Sequence, residues 1–510
     1  MLVLERKDQA YALPRAVAHD AEIARLLQHA GLPPDGMPDA VEPYDDMYVW
    51  VNGEGQTLHL VDWTGIDPSG WNNTYFYNQP ALKAHLDAAL RAQPLAVLRR
   101  GVAATVTSQD GAGVDVVVTS LGSAKKSTVR ARWVLAADGA ASATRTGLGI
   151  DWNDLGYFFD WLVVDVLPGA GLNLTHLAKQ VCDPARPTTV VPAGPGRRRW
   201  EFMRLEGESV EELTRPERIW QLLEPFGVRP DTATLERGVV YTFNSAWASQ
   251  WRRDRVFLLG DAAHQMPPFA GQGLAAGFRD CLNLAWKLDL VLRGLADDRL
   301  LDTYTAERET HVADFIQFSM ALGQIICMTD LEQARARDSR MTAEFASGRI
   351  PEPPPAPRLG PGLHSGSTGG YLSWQGRITT ADHPKPMRYD DVFGSGTLVL
   401  ADHRLARELD AGQISALARC GIQMTTFDPA SRPSAAAPGR QAVPATFNDV
   451  NGTYATWLGQ LGAKAVLVRP DFYVFGSASN AGQIQALVSS FLTSLTDRGP
   501  LPQPTVAVSD

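Results

Sequence analysis

The chain has 510 residues, more than one hydrophobic core usually organises, so we expect two or three domains. Apolar residues make up 45% and charged residues 20%; no apolar run approaches the roughly 20 residues of a membrane span, and Met1–Arg6 reaches charge too early for a signal peptide, so we expect a cytoplasmic protein without membrane contact. The net charge of −9, with no basic cluster beyond Arg197–Arg199, argues against nucleic acid and leaves small molecules as the expected partners.

Cysteine and arginine usage offers no metal or redox motif. The four cysteines are scattered, with no C-x-x-C and no metal-like spacing, so we interpret them as reduced and structural and predict no metal site. Arg197, Arg198 and Arg199 follow a Gly-Pro-Gly turn. They would suit a substrate carboxylate, although a solvent-exposed turn is the simpler interpretation.

The first third of the chain mixes strands and helices. Leu2–Glu5 reads as a short buried strand that ends in an acid, and a helix is expected from an Asp20 N-cap to a stop at Gly31. Alternation over 47–51 and 57–62 predicts a hairpin, and a helix is expected over 80–92. Residues 95–137 resemble a three-stranded meander whose last run feeds back into a larger sheet and ends at Asp138-Gly139.

The rest of the chain contains a long helix and a small terminal unit. We expect a hairpin over 188–204, a strand over 255–259 that leads into Gly260-Asp261, and a helix over 273–293. Residues 351–370 are rich in Pro and Gly and predict a linker. Beyond it, a small α/β unit is expected from strands 396–401, 464–468 and 472–475 and helices 405–420, 453–461 and 480–494.

The stretch from Arg255 to Leu274, RVFLLGDAAHQMPPFAGQGL, joins a buried strand to the long helix. Asp261 lies at the carboxyl end of the strand, where ligands of α/β sheets bind and where a carboxylate accepts hydrogen bonds from hydroxyl groups. The Gly271-Gln272-Gly273 turn permits close backbone approach, and the helix N-terminus favours an anionic ligand. The alternative is an ordinary strand–turn–helix in which Asp261 serves only as a capping residue and binds no ligand.

Three shorter features accompany this stretch. Asp138-Gly139 with Ser142 and Arg145 stands at a strand end, where an Asp-Gly turn alone would be commonplace. Gln79, after Trp71 and Tyr77-Asn78, either reaches a ligand or starts a helix. Arg15 lies in a probable loop, where exposed arginines are common.

Taken with their order and spacing, these stretches resemble the class A flavoprotein monooxygenases, in particular the 3-(3-hydroxyphenyl)propionate hydroxylases, over nearly the whole chain. Further similar stretches are Trp161–Asp165, Gln180–Thr189 and Arg199–Met203, which resemble the substrate-domain sheet. The resemblance implies noncovalent FAD, with Asp261 at the ribityl chain and the helix N-terminus facing the ring. It implies these cofactor-binding residues: Glu5, Arg15, Gln79, Asp138, Gly260, Asp261, Ala262, Ala263, Pro267, Gly271, Gln272, Gly273 and Leu274.

No catalytic residue is assigned: Pro267 and His264 would line the flavin site, and a lone histidine such as His264 is more often structural than catalytic. Ala141 stands where the family usually has an arginine near the path of the nicotinamide donor, which puts that contact in doubt.

The fold class implied is mixed α/β. A truncated Rossmann-like FAD-binding domain over 1–45, 78–150 and 246–350 would be interleaved with an antiparallel-sheet substrate domain over 46–77 and 151–245. A linker over 351–385 would lead to a thioredoxin-like domain over 386–510, which lacks C-x-x-C and so cannot exchange dithiols. A homodimer is possible on the same resemblance.

In this family a strand, a Gly-x-Gly-x-x-Gly turn and a helix hold the cofactor's pyrophosphate, with an acid roughly 20 residues later that binds the ribose. Glu5 matches that acid, and the segment before it is absent from the sequence. We expect a misassigned start and roughly 25–30 further natural residues. The alternative is a genuine short chain that binds flavin poorly.

The expected activity is hydroxylation of a phenolic acid with NADH or NADPH as electron donor and O₂ as co-substrate, through a flavin C4a-hydroperoxide. The cofactor carries this chemistry, while the protein excludes water and orients the ring. Two alternatives stay open: hydroxylation of a bulkier aromatic or polyketide, and a flavin-free remnant or interaction protein.

Overall fold

The structure, a computed structural model, describes residues 1–348, 358–427 and 444–496. Within them the chain has a mixed α/β fold built from several open sheets, as the resemblance implied. The strands up to residue 265 are β1 Leu2–Glu5, β2 Ala18–Asp20, β3 Val41–Tyr44, β4 Met47–Asn52, β5 Thr57–Asp62, β6 Thr74–Tyr77, β7 Val97–Arg100, β8 Val102–Asp110, β9 Gly113–Ser120, β10 Lys126–Ala131, β11 Val134–Ala136, β12 Trp152–Pro168, β13 Ala178–Cys182, β14 Thr188–Pro192, β15 Arg198–Met203, β16 Ala233–Ala248, β17 Arg252–Arg253, β18 Val256–Leu258 and β19 His264–Gln265.

The helices of the same part pack around these sheets. They are α1 Ala21–His29, α2 Gln79–Ala92, α3 Ala143–Gly147, α4 Val210–Leu213, α5 Pro216–Leu223, α6 Gly273–Leu292, α7 Thr303–Ile326 and α8 Leu331–Ala346. The predicted N-cap of α1 is confirmed, because Asp20 Oδ1 accepts a hydrogen bond from the backbone N–H of Ile23 at 3.1 Å. The predicted helices at 80–92 and 273–293 are confirmed as α2 and α6.

Three acids of the predicted cofactor site, Glu5, Asp138 and Asp261, lie at the ends of strands that form two parallel pairs. β1 pairs with β7, and β11 pairs with β18, which also pairs with β17. The predicted meander is confirmed as β8–β10, whereas β11 leaves it to join β18. Every residue of β1 is only half-buried, which corrects the expectation of a buried strand; among the described strands β7 is its one partner.

An eight-stranded sheet forms the middle of the molecule, in the order β19-β16-β12-β15-β14-β13-β4-β5. Both predicted hairpins, β4–β5 and β14–β15, are confirmed in it. Alternating residues of β12 face opposite sides: Leu162 and Val164 pack with the α4–α5 side, whereas Trp161 packs with the opposite side. The sheet is therefore covered on both faces, and both the odd- and the even-numbered residues of this part of β12 are buried.

The C-terminal unit is a five-stranded sheet with a small flanking sheet. Its elements are β20 Arg377–Thr379, β21 Met387–Arg388, β22 Gly396–Leu400, β23 Ile422–Thr426, β24 Ala445–Thr446, β25 Asn448–Asp449, β26 Ala465–Val468, β27 Val474–Ala478, α9 Tyr389–Phe393, α10 Ala411–Arg419, α11 Thr453–Gln460 and α12 Ala481–Ser494. The order β24-β23-β22-β26-β27, with β22 parallel to β23 and antiparallel to β26, is thioredoxin-like.

Three details of this unit differ from expectation. The helix expected over 405–420 is split, because Asp410 and Gln413 form a capping box that starts α10, while His403–Glu408 form a 3-10 helix. The strand expected at 472 begins at Val474, since Phe472 has a left-handed φ of +68°. Part of the expected linker is ordered, since β20 pairs with β21 and β25; residues 349–357 lie outside the described residues.

None of the helices described here is by itself long and apolar enough to cross a membrane, although the bent pair Asp298–Ile326 and Leu331–Ala346 meets that length and composition test together.

Candidate active site

Asp138 and Asp261 follow the carboxyl ends of two neighbouring parallel strands. β11 and β18 pair in parallel, with Ala136 opposite Leu258, so both acids emerge at one edge of this sheet. Both residues are exposed. Asp138 holds its own turn, because its carboxylate accepts hydrogen bonds from Ser142 Oγ at 2.5 Å and from the backbone N–H of Thr144 at 3.0 Å.

Arg145 ties these two strand ends together. Its guanidinium is buried over the Trp152 ring, 3.8 Å from the ring centre, and donates to the carbonyl oxygens of Ala262 and Ala140, each at 3.0 Å. Burial holds the pKa of Arg145 below its ordinary value. Arg145 therefore fixes the loop after β18 against the loop after β11.

Two glycines let α6 pass close to the loop after β18. Gly260 has a left-handed φ of +56°, and a Cβ added at Gly277 would lie 3.4 Å from the Cα of Gly260. Gly271 is also left-handed, with φ +65°, and apart from its chain neighbours no atom of the described residues lies within 4 Å of the position its Cβ would occupy. The turn before α6 thus opens onto free space.

No side chain of the described residues caps the N-terminus of α6. Gln272 makes no cap hydrogen bond; its amide instead donates to Asp20 Oδ2 at 3.1 Å and accepts from Arg279 Nη1 at 2.8 Å. The first-turn N–H groups, which include those of Gly273 and Leu274, are left for another acceptor. A helix N-terminus of this kind suits an anion.

Arg15 and Gln79 are brought into contact. The side-chain oxygen of Gln79 accepts a hydrogen bond from the backbone N–H of Arg15 at 2.6 Å. Asn78, and not Gln79, supplies the N-cap of α2 by accepting from the N–H of Ala81. Gln79 therefore orients the loop that carries Arg15.

His264 and Pro267 lie behind the exposed turn. His264 is buried, and its Nε2 lies 2.7 Å from Asp280 Oδ2. Burial disfavours the charged form of Asp280, yet His264 and Arg308 hold the pKa of this carboxyl below its ordinary value. The carbonyl of Pro267, also buried, accepts from Ser319 Oγ at 2.8 Å.

Ala262 and Ala263 are fully buried and belong to the core beneath the turn. Glu5 is set apart from them, since it ends the β1–β7 pair and its Oε1 accepts from the N–H of Lys7 at 2.8 Å.

Sequence reasoning missed a buried polar cluster on the large sheet. Arg199 donates to both oxygens of Asp165, at 2.7 and 2.8 Å, and its Nη1 donates to the carbonyl of Arg15 at 2.5 Å. The interpretation of residues 197–199 as a solvent-exposed turn is therefore wrong for Arg199 and Arg198, which are both buried, whereas Arg197 is half-buried and pairs with Glu236. The sequence did contain a signal for this cluster: charged Arg199 and Glu201 alternate with apolar Trp200 and Phe202, which places the two charged side chains on the same face of a strand.

Arg237 lies in the same cluster without a hydrogen bond. Its side chain is fully buried, and all three of its nitrogens lack a hydrogen-bond partner among the described residues. The guanidinium is 3.8 Å from Asp165 and stands over the Tyr241 ring, whose buried hydroxyl also lacks a partner in that part of the chain. Burial, and then the neighbouring Arg199, hold the pKa of Arg237 below its ordinary value, and burial raises the pKa of Glu201 despite Arg199.

The loop before α6 reaches this sheet. Phe269 packs edge-on against Trp161, with ring centres 5.6 Å apart, on the side of the sheet that carries Arg199 and Asp165. The turn at Gly271 therefore lies on the same side of the large sheet as the polar cluster of Asp165, Arg199 and Arg237. No group of three or more His, Cys, Asp or Glu side chains among the residues described could hold a metal ion.

Comparison with known proteins identifies the family. A family model described as an FAD binding domain matches residues 1–319, and one described as the HcaD C-terminal domain matches residues 370–494. The chain is 35% identical to a protein of Rhodococcus jostii (strain RHA1) named "probable NADH-specific resorcinol 4-hydroxylase", over 98% of this chain and 92% of that one. It is 30% identical to the 3-(3-hydroxy-phenyl)propionate/3-hydroxycinnamic acid hydroxylase of Klebsiella pneumoniae (strain 342), over 98% and 90%.

The chain belongs to the class A FAD-dependent aromatic monooxygenases. This monooxygenase therefore uses FAD, a nicotinamide donor and O₂. The fold agrees: the solved structure of the flavin-dependent monooxygenase PieE superimposes with a TM-score of 0.73 at 21% identity, over 97% of this chain and 94% of that chain.

The residues present fit FAD. A flat ring needs close backbone approach, which the open, left-handed Gly271 permits, and its anionic reduced form suits the uncapped start of α6. The exposed carboxylates of Asp138 and Asp261 stand at the strand ends, where sugar hydroxyls would need acceptors.

Proposed function

We propose that this monooxygenase hydroxylates a phenolic aromatic acid similar to 3-(3-hydroxyphenyl)propionate. The observation that carries the proposal is the buried guanidinium of Arg237, whose nitrogens have no hydrogen-bond partner among the described residues. A relative of 30% identity is named for such an acid, which supports the same choice. The donor is NADH or NADPH, and the relative named as NADH-specific favours NADH.

FAD, when bound, supplies electron transfer from the nicotinamide to O₂ and insertion of one oxygen atom into the ring. The chain's own residues would hold it along the strand ends. Asp261 would accept hydrogen bonds from the ribityl chain, Asp138 would lie near the phosphate and ribose, and the Gly271–Leu274 turn would face the ring. Gln79 and Arg15, whose side-chain oxygen and backbone N–H meet at 2.6 Å, would make a further contact with FAD.

A substrate carboxylate would satisfy Arg237. Burying a charged group without hydrogen bonds is costly, and a guanidinium binds a carboxylate through two parallel N–H donors. Asp165 does not fill this role, since its nearest oxygen lies 3.8 Å from Arg237 and makes no hydrogen bond to it. Two acids, Asp165 and Glu201, stand in this cluster with the two arginines, but neither gives Arg237 a hydrogen bond, so its N–H donors are left for a further acceptor.

The positions of Arg237 and Trp161 on the sheet also suggest how the substrate acid would be oriented. Arg237 is opposite Asp165, and Tyr241 is opposite Trp161, four residues further along the same two strands. The backbones of these two residue pairs are about 13 Å apart along the strands, while the Arg237 guanidinium itself reaches over the Tyr241 ring, 4.7 Å from its centre. A carboxylate at Arg237 would therefore direct the aromatic ring toward Trp161 and Phe269, next to the turn that precedes α6.

The test compares an acid with a neutral phenol. Purified protein saturated with FAD is assayed for substrate-stimulated NADH and NADPH oxidation with 3-(3-hydroxyphenyl)propionate and with resorcinol. Arg237→Met is expected to raise KM for the acid by about 10- to 100-fold, as expected for a lost charged hydrogen bond, and to leave resorcinol within about threefold. Arg197→Met, which removes a half-buried arginine paired with Glu236, is the control and should change neither.

The second candidate is hydroxylation of resorcinol itself or a similar diphenol. The R. jostii relative, which matches along 98% of this chain, favours it. Turnover of resorcinol that exceeds turnover of every phenolic acid tested, with product hydroxylation confirmed by mass, would replace the acid with this candidate.

A further inference from the structure

A chain of buried hydrogen bonds leads from the C-terminal unit to the turn before α6. Tyr473 Oη donates to Glu22 Oε1 at 2.8 Å, and Glu22 Oε2 accepts from Arg279 Nε at 2.6 Å. Arg279 then donates to Gln272 Oε1 at 2.8 Å and to Asp20 Oδ2 at 2.5 Å. The chain ends on the middle residue of the Gly271-Gln272-Gly273 turn.

Every inner member of this chain is shielded from solvent. Glu22, Arg279 and Tyr473 are each less than a tenth exposed. Burial disfavours the charge of Arg279, yet Asp20 and Glu22 hold its pKa above the ordinary value. In such surroundings a hydrogen bond is stronger than at the surface, and a lost one leaves a group unsatisfied.

The segment that carries Tyr473 is itself firmly anchored. Arg469 donates through two nitrogens to the two oxygens of Glu307 on α7, at 2.8 Å each, and pairs with Asp471. Phe472 is fully buried, with φ +68°, and packs with the α1 core. Tyr473 therefore meets Glu22 from a rigid position, although the two residues are 451 positions apart.

We propose that the C-terminal unit positions the flavin-facing turn through Tyr473, Glu22 and Arg279. Tyr473 is a positioning residue: it touches Glu22, and through Arg279 it fixes the side chain of Gln272. The inference rests on the proposed placement of FAD at this turn. It assigns to a unit without a C-x-x-C motif an indirect influence on the cofactor, exerted through three intervening side chains.

The test uses the full-length protein and two matched tyrosine variants. Tyr473→Phe removes the hydroxyl that meets Glu22. Tyr389→Phe removes an equally buried hydroxyl that bonds Thr425 within the C-terminal unit at 2.6 Å, so it is the control. The dissociation constant of FAD is measured by titrating apoprotein, and the visible absorption spectrum of the flavin is recorded at saturating FAD, where reduced stability has no influence.

Tyr473→Phe is expected to weaken FAD binding about two- to tenfold and to shift the flavin spectrum, whereas Tyr389→Phe changes neither. Glu22→Gln, which keeps the shape but removes the charge opposite Arg279, should produce a larger change of the same kind. If both tyrosine variants bind FAD as the wild type does, with its spectrum, this inference is overturned and the proposed function stands. Failure of the wild-type protein to bind FAD would overturn both.

Discussion

His264 and Asp280 form a buried pair directly behind the turn that follows β18. Their side chains meet at 2.7 Å, and the same oxygen of Asp280 accepts from the backbone N–H of Gly260 at 3.0 Å. Arg308 on α7 binds the other oxygen at 2.9 Å. The pair therefore fixes the backbone of Gly260, and His264 faces α6 rather than the open side of the turn.

His264→Asn is expected to lower stability without a matching loss of chemistry. The change leaves Asp280 with one fewer buried donor, which costs about 1.5–3 kcal/mol. The melting temperature of the apoprotein should fall, while kcat per bound flavin at saturating FAD stays within about threefold. A loss of kcat beyond tenfold in folded, flavin-saturated protein would make His264 catalytic.

Asp261→Ala is expected to weaken FAD binding. If its exposed carboxylate accepts hydrogen bonds from the ribityl chain, removal costs about 1–2 kcal/mol, or about 5- to 30-fold in affinity. Asp231→Ala removes another exposed acid, which lies beside Arg229 and is distant in sequence from the strand ends, and should leave the FAD dissociation constant unchanged. Equal affinities for both variants would remove Asp261 from the cofactor site.

Gly271→Ala separates backbone strain from ligand contact. Gly271 and Gly294 have φ of +65° and +69°, and in the part of the chain that the structure describes no atom beyond their chain neighbours lies within 4 Å of either Cβ position. Alanine at either position costs about 1–2 kcal/mol of strain, so the two variants should melt at similar temperatures. Only Gly271→Ala should also weaken FAD binding, by more than about fivefold, because only that methyl group enters the space assigned to the ring. Similar FAD affinities in both variants would contradict this assignment.

Glu307→Gln should destabilise the protein in a pH-dependent manner. Burial opposes the charge of Glu307, but Arg469 and Lys287 hold its pKa below the ordinary 4.5. The stabilisation is therefore fully present above pH 4.5 and is lost as pH falls through the folded-state pKa. Breaking this buried pairing costs about 3–5 kcal/mol near pH 7, and the difference in melting temperature from wild type should shrink below pH 4.5.

Asp110→Asn is the control for the same experiment. Asp110 pairs with Arg130 at the surface, where solvent screens the interaction, so its substitution should change the melting temperature little. A difference between Glu307→Gln and wild type that does not vary between pH 7 and pH 4 would count against a depressed pKa at Glu307.

Much of the local structure was predictable because it depends on residues a few positions apart. The Asp20 cap, the β4–β5 hairpin and the start of α6 at Gly273 follow from side chains that act on their own turn. The split before α10 was missed for the same kind of reason, since the capping box of Asp410 and Gln413 outweighed a continuous helical pattern. The segment expected before residue 1 stays a prediction.

By itself, the sequence determined the family and the turn before α6, because a strand, an acid and a glycine turn in fixed order are local features. Only the tertiary structure decided which distant groups are in contact. β11 pairs with β18, Arg199 forms hydrogen bonds with Asp165 and with the carbonyl of Arg15, and Tyr473 forms a hydrogen bond with Glu22. Such pairings depend on packing between segments far apart in the chain, and on both faces of the large sheet being covered. No local sequence pattern encodes this long-range packing. Arg237 could therefore be identified as a candidate substrate-binding residue only from its burial in the structure.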